Sequence, residues 1–109
     1  MKIVYLVGQL PQHPAVPYRK RTIAHIERLA IHHTAGPKEQ TPEQIAQFHV
    51  GKGWPGISYT YGTRWDGKVW KFLTITQVGN CVRNANLSSL CVVNIGDFSA
   101  EPMPKAQWD

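Results

Sequence analysis

The sequence has no apolar stretch that approaches the length of about 20 residues needed to cross a membrane. Residues 1–7 resemble the opening of a signal peptide, but the segment is too short and polar Gln9, Gln12 and His13 follow at once. We therefore predict neither a membrane span nor an export signal. The protein is expected to stay in the cytoplasm until it is released or exported.

Cysteine is scarce, with Cys81 and Cys91 as the two examples in 109 residues. Two cysteines do not make the disulfide framework of a small secreted domain. We expect both to be free thiols; a disulfide, metal binding and catalysis are the alternatives. The spacings His-x-x-x-His and Cys-x-x-Cys are also missing, so no local motif establishes a metal site.

Charged residues make up 17% and hydrophobic residues 42%, which indicates one small globular domain rather than a disordered chain. Lys and Arg outnumber Asp and Glu by 12 to 7, and the net charge of +5 favours anionic partners. Nucleic acid and anionic bacterial cell wall both qualify. The basic residues are dispersed, those at 19–21 are expected in a solvated turn, and no RNA-stacking motif occurs, so we predict no nucleic-acid partner.

The first half of the chain contains three predicted elements. Residues 1–27, with three prolines, are interpreted as an N-terminal strand or extended arm. Residues 29–31 form a short apolar run that predicts a buried strand ending at a histidine pair. Thr41 begins a helix with a capping box, and its apolar stripe is expected at Ile45 and Phe48, with Ala46 and His49 beside it.

The second half indicates a hairpin followed by a buried strand. Residues 57–65 alternate, which predicts a strand with Tyr59 and Tyr61 on one face. Asp66 and Gly67 are typical of a hairpin turn, from which residues 68–72 return. A loop over 78–89, a buried strand over 90–95 and the first turn of a helix over 105–109 complete the prediction.

Two positions stand out as candidates for chemistry. Strand alternation turns His32 and His33 to opposite faces, so one of them at most faces a given site. Such a histidine is either hydrogen-bonded at a strand end or one ligand of a metal. Tyr59 is either a core residue or, beside a metal, a donor to a developing oxyanion.

Several segments together resemble one known family, the type 2 N-acetylmuramoyl-L-alanine amidases, which include phage lysozyme-type amidases and peptidoglycan recognition proteins. The resemblance runs from about residue 28 to the end. The segments are AIHHTAG at 30–36, TPEQIAQFH at 41–49, GWPGISYTY at 53–61, DGKV at 66–69, VGNC at 78–81, IGDF at 95–98 and PKAQ at 104–107. Their order and spacing match the family.

The resemblance implies an α/β fold with a central mixed sheet flanked by helices, built by an amidase-like domain over residues 28–109 that lacks the family's C-terminal part. It implies hydrolysis of the amide between N-acetylmuramic acid and L-alanine in peptidoglycan, with Zn²⁺ as cofactor. His32 matches the first zinc ligand and Tyr59 a catalytic tyrosine. The substrate-binding positions implied are His33, Thr34, Trp54, Thr60, Cys81 and Asn86. Thr60 and Cys81 replace histidines found in many members.

Three functions follow as alternatives. The first is a zinc amidase that lyses cell walls, such as an endolysin, acting as a monomer on muropeptide. The second is a non-catalytic peptidoglycan-binding module, and the third is a phage structural protein that keeps the fold. The family's other two zinc ligands lie beyond its second helix. Residues 1–109 alone are therefore expected to bind zinc weakly and to hydrolyse nothing.

Overall fold

The computed structural model describes residues 3–99 and 101–108 and consists of five strands and two helices. Met1 and Lys2 of the predicted arm, and Asp109 of the predicted last helix, lie outside the described residues. The elements are β1 (Ile3–Tyr5), β2 (Arg28–His33), α1 (Pro42–Gly51), β3 (Tyr61–Thr63), β4 (Val69–Lys71), β5 (Ser89–Asn94) and α2 (Lys105–Trp108). A 3₁₀ turn, Ile23–His25, precedes β2.

One mixed sheet contains all five strands in the order β1-β4-β3-β5-β2. β3 and β4 are antiparallel and joined by the predicted hairpin, while the other neighbouring pairs are parallel. The predicted mixed α/β fold is thus confirmed. Of the two alternatives given for the start of the chain, a strand or an extended arm, residues 3–5 form the strand, since β1 pairs with β4.

Helix α1 begins as its sequence predicts. The Thr41 hydroxyl accepts a hydrogen bond from the Gln44 N–H at 3.2 Å, and the Gln44 side chain accepts one from the Thr41 N–H at 2.9 Å. The helix packs Ile45 and Ala46 against the core between it and the sheet. Phe48 was expected in this stripe, but its side chain is 60% exposed. His49 is buried instead, because the segment after the helix folds back and places Trp54 against it.

The predicted strand over 57–65 is shorter than expected. Regular pairing covers Tyr61–Thr63, and a bulge precedes it, where Phe72 N–H and Leu73 N–H both donate to the Thr60 carbonyl. Tyr59 lies before the regularly paired residues of β3, where the period of two does not hold, and Tyr59 and Tyr61 do not share a face. Tyr59 points toward α1, and Tyr61 lines a groove on the other side of the sheet.

Residues 29–31 form a strand as predicted, but the prediction that this strand is buried is wrong. β2 lies at the edge of the sheet, and Leu29 and Ile31 are 59% and 68% exposed. Both side chains line an open groove of about 530 Å³ that runs between the sheet and α2. β5, in contrast, is buried as predicted, since it lies inside the sheet between β2 and β3. No helix among the described residues is long and apolar enough to cross a membrane.

The basic cluster at 19–21 was expected in a solvated turn. Arg19 and Lys20 are exposed, but Arg21 is not. Arg21 is buried and donates from Nε to the Ile75 carbonyl at 2.8 Å. Its Nη1 donates to the carbonyls of Asn86, Leu87 and Ser89 at 3.0, 3.1 and 2.7 Å. The guanidinium thus ties the loop before β5 to the segment after β4.

Candidate active site

Aromatic and imidazole rings from three segments converge where β2 ends and α1 covers the sheet. The rings of His32 and Tyr59 lie 6.0 Å apart between centroids, and those of Tyr59 and His49 lie 5.5 Å apart. Trp54 extends the row, with its ring 5.0 Å from that of His49. The structure therefore brings together His32, Tyr59 and Trp54, three residues that the sequence singled out.

His33 lies on the opposite face of β2, as alternation predicts. Its ring stacks at 6.0 Å on Phe98, and its Nδ1 accepts a hydrogen bond from the Phe98 N–H at 3.3 Å. His32 is therefore the member of the pair that faces Tyr59. The predicted contact of His33 with substrate would have to occur on this other face, and it stays a prediction.

His49 was missed as a member of the site. Its Nδ1 accepts a hydrogen bond from the Ser58 N–H at 3.1 Å, which places the ring proton on Nε2 of the neutral imidazole. Burial, with a smaller contribution from Lys52, lowers the pKa of His49 to about 4. A neutral ring thus supports the segment that carries Tyr59. A histidine on the flank of a predicted apolar stripe was the signal for it.

The hydroxyl of Tyr59 stays protonated in this environment. The side chain is half-buried against the core, and burial raises the pKa of Tyr59. A neutral phenol can donate its proton in a hydrogen bond to an oxygen that gains negative charge. The environment therefore fits the donor role that the resemblance implies.

Cys81 and Cys91 form a disulfide, so the expectation of free thiols is wrong. Cys91 lies on β5, and Cys81 lies in the loop before it, with 6.5 Å between the two Cα atoms. The Asn86 side-chain oxygen accepts hydrogen bonds from the N–H groups of Cys81 and Val82 at 2.9 and 2.8 Å, which folds the loop back toward the strand. As a disulfide, Cys81 has no thiol to offer a substrate.

The other predicted substrate contacts are occupied within the protein. The Thr34 hydroxyl donates to the Gly96 carbonyl at 3.3 Å and accepts from the Gly96 N–H at 3.0 Å. Thr60 is buried, and the Asn86 amide holds the loop just described. The Thr34 hydroxyl and the Asn86 amide thus fix the backbone around the site, and the contacts of all three residues with substrate stay predictions.

One side-chain atom in the site, Nε2 of His32, is suited to bind a metal ion. Nε2 of His32 is buried and has no hydrogen-bond partner among the described residues. An unpaired buried nitrogen is unfavourable unless a ligand satisfies it, and neutral imidazole is a common zinc ligand. Within residues 3–99 and 101–108, the cluster of potential metal ligands around it comprises His32, Cys81 and Cys91. Since the sulfurs are bonded to each other, His32 is the one free ligand of that cluster.

Comparison with known proteins agrees with this geometry. The family model described as N-acetylmuramoyl-L-alanine amidase matches residues 20–109. No curated protein matches the chain by sequence. The chain belongs to the N-acetylmuramoyl-L-alanine amidase family, and this membership gives the complete protein that enzyme class.

Solved structures show the same fold. An endolysin from the Thermus scotoductus MAT2119 bacteriophage Ph2119 is 33% identical, with a TM-score of 0.74; the chain covers 71% of it, and 98% of the chain is aligned. The endolysin amidase LysCS from Clostridium intestinale URNW is 24% identical over 97% of the chain and 65% of its own length, with a TM-score of 0.80. Drosophila peptidoglycan recognition protein SD is 22% identical over 99% of the chain and 69% of its own length, also with a TM-score of 0.80.

Proposed function

We propose that the complete protein lyses bacterial cell wall by zinc-dependent hydrolysis of the amide between N-acetylmuramic acid and L-alanine. The observation that carries the proposal is the buried, unpaired Nε2 of His32 facing Tyr59 within an amidase-family fold. Members of this family are generally zinc-dependent. Peptidoglycan is the proposed partner, in agreement with the names of the endolysins and recognition proteins that share the fold.

His32 would hold the zinc ion through Nε2, together with ligands from outside the described residues. A zinc ion held there would lower the pKa of a bound water to about 7 and would polarise the substrate carbonyl. Tyr59 would donate its hydroxyl proton in a hydrogen bond to the carbonyl oxygen as that oxygen gains negative charge. His49, held neutral, keeps the backbone around Tyr59 in place through its bond to Ser58.

The test measures zinc content and wall lysis together in the complete protein. A strong chelator should abolish lysis, and added Zn²⁺ should restore it. His32→Ala should lose both zinc and lysis, whereas His33→Ala should keep its zinc, whatever happens to its rate. Lysis that survives removal of zinc, or full zinc occupancy in His32→Ala, would contradict the proposal.

A non-catalytic peptidoglycan-binding module is the second candidate. The observation in its favour is that the cluster around His32 offers one free metal ligand in the described part of the chain. This candidate predicts that the complete protein sediments with purified cell wall and releases no muropeptide. Zinc-dependent release in the same assay excludes it.

A further inference from the structure

The disulfide and the unpaired histidine lie together. One ring nitrogen of His32 and the sulfurs of Cys81 and Cys91 all lie within 4.8 Å of one another. Because the two sulfurs are bonded to each other, the unpaired Nε2 of His32 is the one free ligand of this cluster in the oxidised chain. We infer that reduction of this disulfide creates a Cys₂His site for a thiophilic divalent cation such as Zn²⁺, distinct from the ligand set of the proposed amidase.

The distances need only small changes. In a tetrahedral site with Zn–S of about 2.3 Å and Zn–N of about 2.0–2.1 Å, two sulfurs are about 3.8 Å apart and sulfur and nitrogen about 3.6 Å apart. After reduction the two sulfurs must separate from bonding distance to that spacing. The 6.5 Å between the Cα atoms leaves room for this by rotation of the side chains. The imidazole nitrogen lies within 4.8 Å of both sulfurs, so each nitrogen–sulfur distance has to shorten by at most about 1.2 Å.

The three ligands are positioned without the disulfide. Cys91 lies in β5, and His32 lies in β2, which pairs with β5 along its whole length. Cys81 is held by the bond from its own N–H to Asn86. Breaking the sulfur–sulfur bond therefore leaves the backbone of all three residues tethered, and the ligands stay close enough to converge on one ion.

Reduction of the Cys81–Cys91 disulfide requires two electrons and two protons, which a dithiol can supply. A dithiol gives two electrons and two protons to the disulfide and becomes a disulfide itself, leaving two thiols on Cys81 and Cys91. On metal binding both thiols release their protons to solvent, and neutral His32 contributes its nitrogen lone pair. Three protein ligands leave a fourth position for water.

The site has a consequence for metal binding that rests on the proposed amidase function. His32 cannot serve both ligand sets at once. The oxidised disulfide keeps His32 available to the amidase zinc, whereas reduction offers the ion a competing pair of thiolates. Metal binding is measured independently of wall lysis, so failure of one hypothesis does not mimic failure of the other.

The experiment is a Co²⁺ titration of the complete protein before and after reduction by a phosphine, which becomes phosphine oxide with an oxygen from water. Co²⁺ bound by thiolates absorbs in the near ultraviolet by charge transfer. Reduction of the disulfide should produce an absorption band that depends on both cysteines. This band should be weaker in Cys81→Ser. His32→Ala should weaken Co²⁺ binding by about tenfold or more, since even loss of an outer-shell partner costs about 10–100-fold.

Alkylation of the reduced wild-type protein gives a readout that needs no variant. Zn²⁺ should protect Cys81 and Cys91 together from iodoacetamide, as mapped by mass spectrometry, because a metal-bound thiolate is shielded from the reagent. Unchanged alkylation of both residues with Zn²⁺ present would overturn the inference. So would a Co²⁺ spectrum that does not change between the oxidised and the reduced protein, or between reduced wild type and Cys81→Ser.

Discussion

His32 and Tyr59 face each other with ring centroids 6.0 Å apart, although they are 27 positions apart in the sequence and helix α1 lies between them. The end of β2 and the segment before β3 thereby place a side chain with an unpaired imidazole nitrogen beside a protonated phenol. The proposed function assigns the first group to a zinc ion and the second to the oxyanion of amide hydrolysis.

Tyr59→Phe should lower the lysis rate of the complete protein by about 10²–10³, the typical effect of removing one oxyanion donor. The ring and its packing stay, so the melting temperature should hardly change. Tyr61→Phe is the matched control, because Tyr61 lies on the other side of the sheet, in the groove. A Tyr59→Phe protein that lyses walls as fast as the Tyr61→Phe protein would show that the hydroxyl is dispensable.

The stability of the protein should fall as the pH drops from about 6.5 to about 4 because of His49. Its pKa is lowered from 6.5 in the unfolded chain to about 4 in the fold, so in this window the unfolded state binds more protons. The stability that this depression provides is fully present above pH 6.5 and is lost toward pH 4. It amounts to at most about 3 kcal/mol.

Urea unfolding between pH 4 and pH 7.5 measures this effect. His49→Gln keeps an acceptor for the Ser58 N–H but cannot titrate, so its free energy of unfolding should fall less over the same window. Equal pH dependence in the wild type and the variant would rule out His49 as the source.

Arg21→Lys should reduce the free energy of unfolding by at least about 2 kcal/mol, because an ammonium group cannot span the carbonyls that the guanidinium joins, and buried acceptors left unpaired are unfavourable. Arg21 contacts Ile75 and the loop before β5 through four such bonds. Arg19→Lys, at an exposed position two residues earlier, should change stability by less than about 0.5 kcal/mol. Chemical denaturation of both variants provides the comparison, and equal stabilities would refute the role of Arg21.

Gly79→Ala should destabilise the fold, because a Cβ atom at this position would lie 2.0 Å from the Ser58 carbonyl oxygen. The backbone next to Tyr59 would have to move, and steric overpacking of this kind typically costs about 1–3 kcal/mol. Gly51→Ala, at the end of α1, meets no atom within 4 Å and should be neutral or slightly stabilising. Thermal unfolding that gives both variants the same melting temperature would argue against the close approach of Gly79 to Ser58.

The sequence predicted those features that depend on local chemistry. Thr41 and Gln44 define the start of α1 wherever the helix packs, and Asp66 with Gly67 forms a turn between any two paired strands. Alternation separated His32 from His33 because β2 is regular along its length. These predictions needed no knowledge of distant contacts.

The features that the sequence did not predict depend on tertiary contacts. Phe48 and His49 are adjacent on α1, and the return of Trp54 decides which of them is buried. The disulfide depends on the loop folding back onto β5 through Asn86. Likewise, the carbonyls that bind Arg21 come from residues more than fifty positions away. Patterns with a period of two or 3.6 carry no information on such long-range pairs.

The end groups released from purified peptidoglycan test the central claim most directly. The complete protein with Zn²⁺ should generate new amino termini of L-alanine and no new reducing sugars, since hydrolysis at this amide frees the stem peptide from an intact glycan strand. New reducing ends, new amino termini within the stem peptide, or no new end groups at all would contradict the account of this protein as an N-acetylmuramoyl-L-alanine amidase.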